Sequence, residues 1–222
     1  MPPRSITILH VTDLHVDHAA PQRLAAILAN RLKNNALATV SAILVGGDLL
    51  NVWHPLTDDV KYDAPATEAM RTDWAAVLFR DVAQVLRTAV GDDGTGDHRV
   101  PVLWIPGNHD PIESFDAADP DAWLTAHGVL IPPGVASVHG RSFALAPGLR
   151  VVGLGGSVPA TRAGTGEQIW PGCPFSTDGE LQHTIDTVIK PLIQQTDGQV
   201  LLLTHSGPSL TSKQPPRCKP IR

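Results

Sequence analysis

The residues best suited to chemistry in this 222-residue chain are aspartate, asparagine and histidine side chains, which fall into four short groups. The groups are Asp13 with His15; Asp48 with Asn51; Asn108 with His109 and Asp110; and His205. Each group begins within a few residues of the end of an apolar, β-like stretch. Parallel strands of an α/β sheet bring their carboxyl ends to one edge, where ligands bind. If the four strands are parallel neighbours, these side chains converge on one pocket.

The residue types in this set are those of a metal site. Carboxylate oxygens, an amide oxygen and imidazole nitrogens suit manganese, iron or zinc, and Asp48 has two oxygens with which to bridge two ions. Gly46, Gly47 and Gly107 precede these residues and would allow a close backbone approach or a positive φ. Taken singly, an aspartate or asparagine at such a position is more often a turn or cap residue. The ordered set favours metal binding.

Apolar patterning predicts the elements that must position these residues. Short β-branched runs predict strands over residues 5–11, 40–45, 100–105, 150–154 and 199–204. Helical spacing predicts helices over 21–35, 67–90 and 180–195, and a helix end over 121–127. The Gly/Pro-rich segment 159–174 is predicted to be a long loop. Strands that alternate with helices are typical of an α/β fold.

The composition excludes several classes of protein. With 42% apolar and 18% charged residues, the chain is expected to form one compact domain. A net charge of -5 gives no basic footprint for nucleic acid or an anionic membrane. No signal peptide or transmembrane run is found, so we expect a soluble, cytoplasmic protein. Cys173 and Cys218 lack a CxxC pattern and are predicted to be free thiols.

Four motifs in a fixed order resemble those of the calcineurin-like metallophosphoesterase family. They are Asp-x-His at 13–15, Gly-Asp-x-x-Asn at 47–51, Gly-Asn-His-Asp at 107–110 and Thr-His-x-Gly-Pro at 204–208. The resemblance implies an α/β, four-layer sandwich of two mixed β-sheets flanked by helices. We expect a single domain over 1–222, in which the polar, Pro-rich residues 209–222 form an irregular tail.

The resemblance also implies a dinuclear centre for two divalent ions, of manganese, iron or zinc. Asp13 and His15 would bind one ion, Asn108 and His205 the other, and Asp48 would bridge both. The implied activity is hydrolysis of phosphate esters by a metal-bound hydroxide. The substrate class, whether phosphoprotein, nucleotide, nucleic acid or lipid, stays open, as do the choice of monoester or diester and the oligomeric state.

Three further residues receive roles by the same resemblance. His109 would be a catalytic histidine that donates a proton or hydrogen bond to the leaving oxygen. Asp110 would orient that imidazole, and Asn51 would orient the loop or a ligand rather than bind metal.

One expected motif is absent from this sequence. The family ends its metal set with Gly-His-x-His, which supplies one histidine to each ion, but residues 206–222 contain no histidine. We therefore expect the domain to be C-terminally incomplete, to lack its last strands, and to retain metal weakly. This favours an alternative function, in which the chain is a catalytically impaired family member that serves as a metal-binding or protein-interaction scaffold.

Overall fold

The computed structural model describes residues 6–14, 40–49, 82–92, 100–108, 110, 120–126, 130–161, 164–166, 168–170 and 174–205. Within these ranges the chain has the predicted α/β class, with three sheets and several helices. No helix among the described residues is long and apolar enough to cross a membrane. The predicted helix over 21–35 lies outside them.

The first sheet has four parallel strands in the order β1-β2-β3-β4. They are β1 (Thr7–Val11), β2 (Val40–Val45), β3 (Val102–Trp104) and β4 (Val135–Ser137). The first three confirm predicted strands, because their β-branched and apolar runs fit a buried sheet. The sequence did not predict β4, which has only three residues, two of them alanine and serine. All four carboxyl ends lie at one edge of this sheet.

The second sheet has three strands, β5 (Ser142–Ala146), β6 (Leu149–Leu154) and β9 (Gln199–Thr204), in that order. A two-residue Pro147-Gly148 turn joins β5 to its antiparallel neighbour β6, and Gly148 has a φ of 74°. β6 pairs in parallel with β9. The predicted strands over 150–154 and 199–204 are confirmed. However, β9 lies in this second sheet, so only three of the four strands that precede the motifs are neighbours.

The segment predicted as a long loop over 159–174 contains a third, small sheet. Its two antiparallel strands are β7 (Ala160–Thr161) and β8 (Gln168–Trp170). The prediction of a structureless loop was therefore wrong. Strands of two and three residues are too short to show the alternation of apolar and polar residues that identifies a strand in sequence.

The helices agree with the sequence prediction where they are described. Helix α1 covers 82–89, within the predicted 67–90, and α2 covers Pro120–Ala126. The predicted helix over 180–195 is three joined pieces: α3 (Asp178–Thr184), a π-helical turn (Ile185–Ile189) and α4 (Lys190–Gln194). The Thr177 side chain caps α3 by accepting from the Glu180 N–H at 3.2 Å. The π-turn precedes Pro191, which has no N–H with which to continue the α-helical pattern.

An apolar cluster joins the two larger sheets. Leu44, Leu103, Ile105 and Val138 come from the first sheet and the segments that follow its strands, and Val151 and Leu203 from the second sheet. Leu103 and Val151 are fully buried. Helix α1 packs on the first sheet through a separate cluster that includes Val82, Leu86 and Ile43. A third cluster packs α3 and the π-turn against β6. The shared cluster brings the end of β9 close to the ends of β2 and β3.

Candidate metal centre

The loops after β1 and β2 are joined by their backbones. Gly46 N–H donates to Val11 O at 2.8 Å, and Asp13 N–H donates to Gly47 O at 3.1 Å. The Thr12 hydroxyl donates to Asp13 Oδ2 at 2.7 Å. These bonds place the Asp13 carboxylate beside the loop that carries Asp48.

Both loops turn sharply at the predicted ligands. Asp13 has a φ of 53° and Asp48 a φ of 50°, and they are the non-glycine residues with positive φ in the described part of the chain. Aspartate tolerates the left-handed region better than most residues, yet the conformation still costs on the order of 1 kcal/mol. Strained backbone of this kind concentrates at functional sites. The chain therefore turns at Asp13, shortly after the end of β1.

Two glycines make room for the carboxylate and the imidazole. A Cβ on Gly107 would collide with the backbone N and the carboxylate of Asp48, and a Cβ on Gly47 would lie 2.8 Å from His205 Nδ1. Gly47 also has a φ of 94°. The predicted reason for glycine before these residues, a close approach of backbone to site, therefore holds at both positions.

Asp110 belongs to the loop after β3 and contacts the loop after β2. Its carboxylate is buried, and Oδ2 accepts from Gly107 N–H at 2.7 Å and, more weakly, from Leu49 N–H at 3.4 Å. These bonds hold the loop that carries Asn108 against the loop that carries Asp48. The predicted partner of Asp110, His109, lies outside the described residues, so the orienting role stays a prediction.

The His205 ring joins the second sheet to the loops of the first. Nδ1 lies 2.9 Å from Gly46 O, and Nε2 lies 2.9 Å from Asn108 Oδ1 and 3.5 Å from Asp48 Oδ1. A carbonyl oxygen can only accept, so Nδ1 carries the hydrogen. Nε2, the other ring nitrogen, faces the two side-chain oxygen atoms of Asn108 and Asp48. A metal-binding imidazole has the same arrangement: one nitrogen donates to a backbone carbonyl and the other is directed toward the ion.

Asp13, Asp48 and His205 together form a candidate metal-binding group. Each offers a ligand atom, and these atoms lie within 4.8 Å of one another. Asp48 is buried, Asp13 is exposed and His205 is intermediate, so the cluster is buried on one side and open on the other. Asn108 adjoins it through His205. The structure thus brings together four of the predicted site residues, whereas His15, Asn51 and His109 lie outside the described residues.

One buried histidine near these loops was not singled out by the sequence. His139 follows β4, and burial, followed by the positive charge of Arg141, lowers its pKa from 6.5 to about 4. The ring is therefore neutral, and its Nδ1 accepts from Gly155 N–H at 2.9 Å. No sequence signal could have identified it, because its partner is 16 residues away along the chain and contributes only a backbone N–H.

Comparison with known proteins identifies one family. The sequence profile of the calcineurin-like phosphoesterases matches residues 6–214. No curated protein sequence is significantly similar to the chain. One similar solved structure is that of TT1561 of Thermus thermophilus, at 14% identity and a TM-score of 0.47. The alignment covers 91% of this chain and 73% of that chain. Another has 10% identity and a TM-score of 0.49; it covers 88% of this chain, which spans 66% of its length.

Proposed function

This chain is a member of the calcineurin-like phosphoesterase family, and we propose that it hydrolyses phosphate esters at the cluster of Asp13, Asp48, Asn108 and His205. The observation that carries the proposal is the convergence of three ligand atoms within 4.8 Å, from residues 13, 48 and 205 of the sequence. A role as a turn or cap residue at a strand end would account for the presence of any one of these residues taken alone. It does not explain why all three meet.

Electrostatics favours a cation in this cluster. Carboxylate oxygens of Asp13 and Asp48 no more than 4.8 Å apart repel each other by on the order of 3 kcal/mol when both are ionised, at an effective dielectric constant of about 20. A divalent cation between them replaces that repulsion with two attractions. The donor set of carboxylate, amide and imidazole, with no thiolate among the three convergent residues, suits manganese, iron or zinc.

We assign the residues to two ions in the way that the family resemblance implies. Asp13 and His15 would hold one ion, Asn108 and His205 would hold the other, and Asp48 would contribute to both. The contacts of His205 Nε2 with both Asn108 Oδ1 and Asp48 Oδ1 support the second set. When bound, such a pair of ions polarises a phosphate ester and lowers the pKa of a bound water, so that hydroxide is available as the nucleophile near neutral pH.

The chain's own residues supply orientation and proton transfer. Asp13 and Asp48 fix the donor positions through their left-handed turns. Gly46 O accepts from Nδ1–H of His205, which leaves Nε2 as the ring nitrogen that would bind an ion. In this proposal His109 donates to the leaving oxygen, Asp110 orients the His109 imidazole, and Asn51 orients the loop after Asp48 or a ligand.

The fold around this centre is proposed to be the four-layer sandwich of a single domain over 1–222. The support is the cluster that joins the two larger sheets, together with helix clusters on β2 and β6. In that arrangement the phosphate ester enters from the exposed side of Asp13. The substrate is proposed only as a phosphate monoester or diester.

The test is manganese-dependent hydrolysis of mono- and bis-(p-nitrophenyl) phosphate. Asp48→Asn keeps the size of the buried side chain and removes its charge, and Asp197→Asn makes the same change at an exposed site at the opposite end of β9. We expect hydrolysis by the wild type and the Asp197 variant, with a loss of at least a hundredfold in the Asp48 variant. Equal rates in all three would contradict the proposal. Metal binding without hydrolysis would instead favour the scaffold function.

A further inference from the structure

The segment after β6 connects the loop that carries Asn108 to His205, the two parts of the candidate metal centre that come from different sheets. His205 N–H donates to Leu154 O at 3.3 Å, and Gly156 N–H donates to Pro106 O at 2.9 Å. Pro106 begins the loop that carries Asn108, and His205 carries the imidazole that Asn108 contacts. The three residues 154–156 therefore set the spacing between the Asn108 loop, which follows the first sheet, and His205, which follows the second.

The middle residue of this segment is held by the buried imidazole. Gly155 N–H donates to His139 Nδ1 at 2.9 Å. A Cβ on Gly155 would collide with Pro106 O, so the segment lies directly against the Asn108 loop. His139 is only 6% exposed, which leaves its ring little freedom to move.

His139 itself lies where the two larger sheets meet. Val138 N–H donates to Trp104 O of the first sheet at 2.8 Å, and Gly140 N–H donates to Gly153 O of the second sheet at 2.9 Å. An isolated parallel bridge pairs His139 with Gly153. The backbone of His139 is thus fixed to both sheets, and its ring adds a bond to the residue that packs on Pro106.

From this chain of contacts we propose that His139 is a positioning residue for the metal centre: its Nδ1 holds Gly155 so that Asn108 and His205 keep the spacing that binds a metal ion. The inference deepens the proposed function and rests on it for its consequence in metal binding. The lowered pKa of His139 agrees with this role, because a neutral ring can offer Nδ1 as an acceptor whereas an imidazolium cannot.

Three variants test the positioning role. His139→Asn places an amide oxygen the same number of bonds from Cβ as Nδ1, so it can still accept from Gly155 N–H. His139→Leu fills the site and removes the acceptor. His183→Leu makes the same change at an exposed histidine of α3. If the leucine variant shows no cooperative unfolding transition, His139→Gln, whose acceptor is displaced by one bond, takes its place in both measurements.

The first measurement needs no metal. In the metal-free chain, NMR shifts of the Asn108 side-chain amide and the His205 ring report whether their contact persists. We expect wild-type shifts in the His139→Asn and His183→Leu variants, and displaced shifts in His139→Leu. Wild-type shifts for Asn108 and His205 in a folded His139→Leu chain would overturn the positioning role, whether or not the wild type hydrolyses phosphate esters.

The second measurement is calorimetric titration with Mn²⁺. Loss of a residue that orients metal ligands weakens metal affinity by roughly 10- to 100-fold. We expect a loss of that size for His139→Leu and about threefold or less for His139→Asn. An equal loss in the asparagine and leucine variants would show that the acceptor at Nδ1 does not matter, and would overturn the proposal. Failure of the wild type to hydrolyse any ester would count against the proposed function alone.

Discussion

The buried histidine after β4 makes the stability of this protein sensitive to acid. Burial of His139, with Arg141 nearby, lowers its pKa from 6.5 to about 4 in the folded chain. When the pH falls below 6.5, the unfolded chain binds a proton at this residue that the folded chain does not bind. The free energy of unfolding therefore falls with pH between 6.5 and 4, and the contribution is fully present only above that window.

The size of the effect follows from the difference in pKa. One unit of pKa corresponds to about 1.4 kcal/mol, so the shift from 6.5 to about 4 amounts to about 3 kcal/mol. Most of it, about 2 kcal/mol, is lost already at pH 5. Other groups also titrate in this range, so the relevant quantity is the difference between the wild type and a variant whose residue 139 does not titrate.

The assay is urea unfolding at a series of pH values from 7.5 to 4. We compare the wild type with His139→Asn and with His183→Asn, in which an exposed histidine is changed. Between pH 7.5 and 5 the wild type should lose about 2 kcal/mol more unfolding free energy than His139→Asn, and His183→Asn should follow the wild type. Parallel curves for wild type and His139→Asn would refute the reasoning, since they would mean that the ring takes up its proton as easily in the folded chain.

Two further substitutions test the packing and the loops. Leu103→Ala, in the cluster between the two larger sheets, should lower the free energy of unfolding by about 2–5 kcal/mol. Leu202→Ala, at a residue that is 49% exposed, should lower it by about 1 kcal/mol or less. Equal losses for the two variants in urea unfolding would contradict a core shared by the two sheets. Gly107→Ala places a Cβ against Asp48 and should weaken Mn²⁺ binding at least tenfold in calorimetry. Gly179→Ala, in α3, where a Cβ would make only an ordinary contact with Thr177 Oγ1 at 3.7 Å, should leave binding unchanged. Wild-type affinity in the Gly107 variant would contradict the assigned geometry.

The strands that precede the motif residues could be predicted from sequence because their signal is local. β2 and β9 are mostly apolar runs, and their predicted bounds agree with the structure. β4 and β7 could not be predicted, because neither lies in a longer apolar run such as 100–105, which contains the equally short β3. The sheet to which β9 belongs is also a non-local property, set by its pairing with β6.

In the candidate site, too, the local features could be predicted from the sequence and the non-local contacts could not. Asp13, Asp48, Asn108 and His205 were predicted because each residue type has a chemistry and each follows a strand. The bonds of Asp110 to Gly107 and Leu49, and the contact of His139 with Gly155, depend on how the loops pack. A carboxylate or an imidazole that accepts from a backbone N–H leaves no pattern in the sequence, because any residue except proline can supply that donor.

The central claim is that Asp13, Asp48, Asn108 and His205 hold metal ions, and an anomalous difference map from crystals grown with Mn²⁺ or Zn²⁺ tests it most directly. We expect two peaks, both about 2.0–2.2 Å from donor atoms of these residues, with the Asp48 carboxylate between them. His205 should approach its ion through Nε2, while Nδ1 keeps its bond to Gly46 O. A map with no peak within coordination distance of Asp48 and His205, from a chain that is folded and saturated with metal in the crystal, would contradict the account.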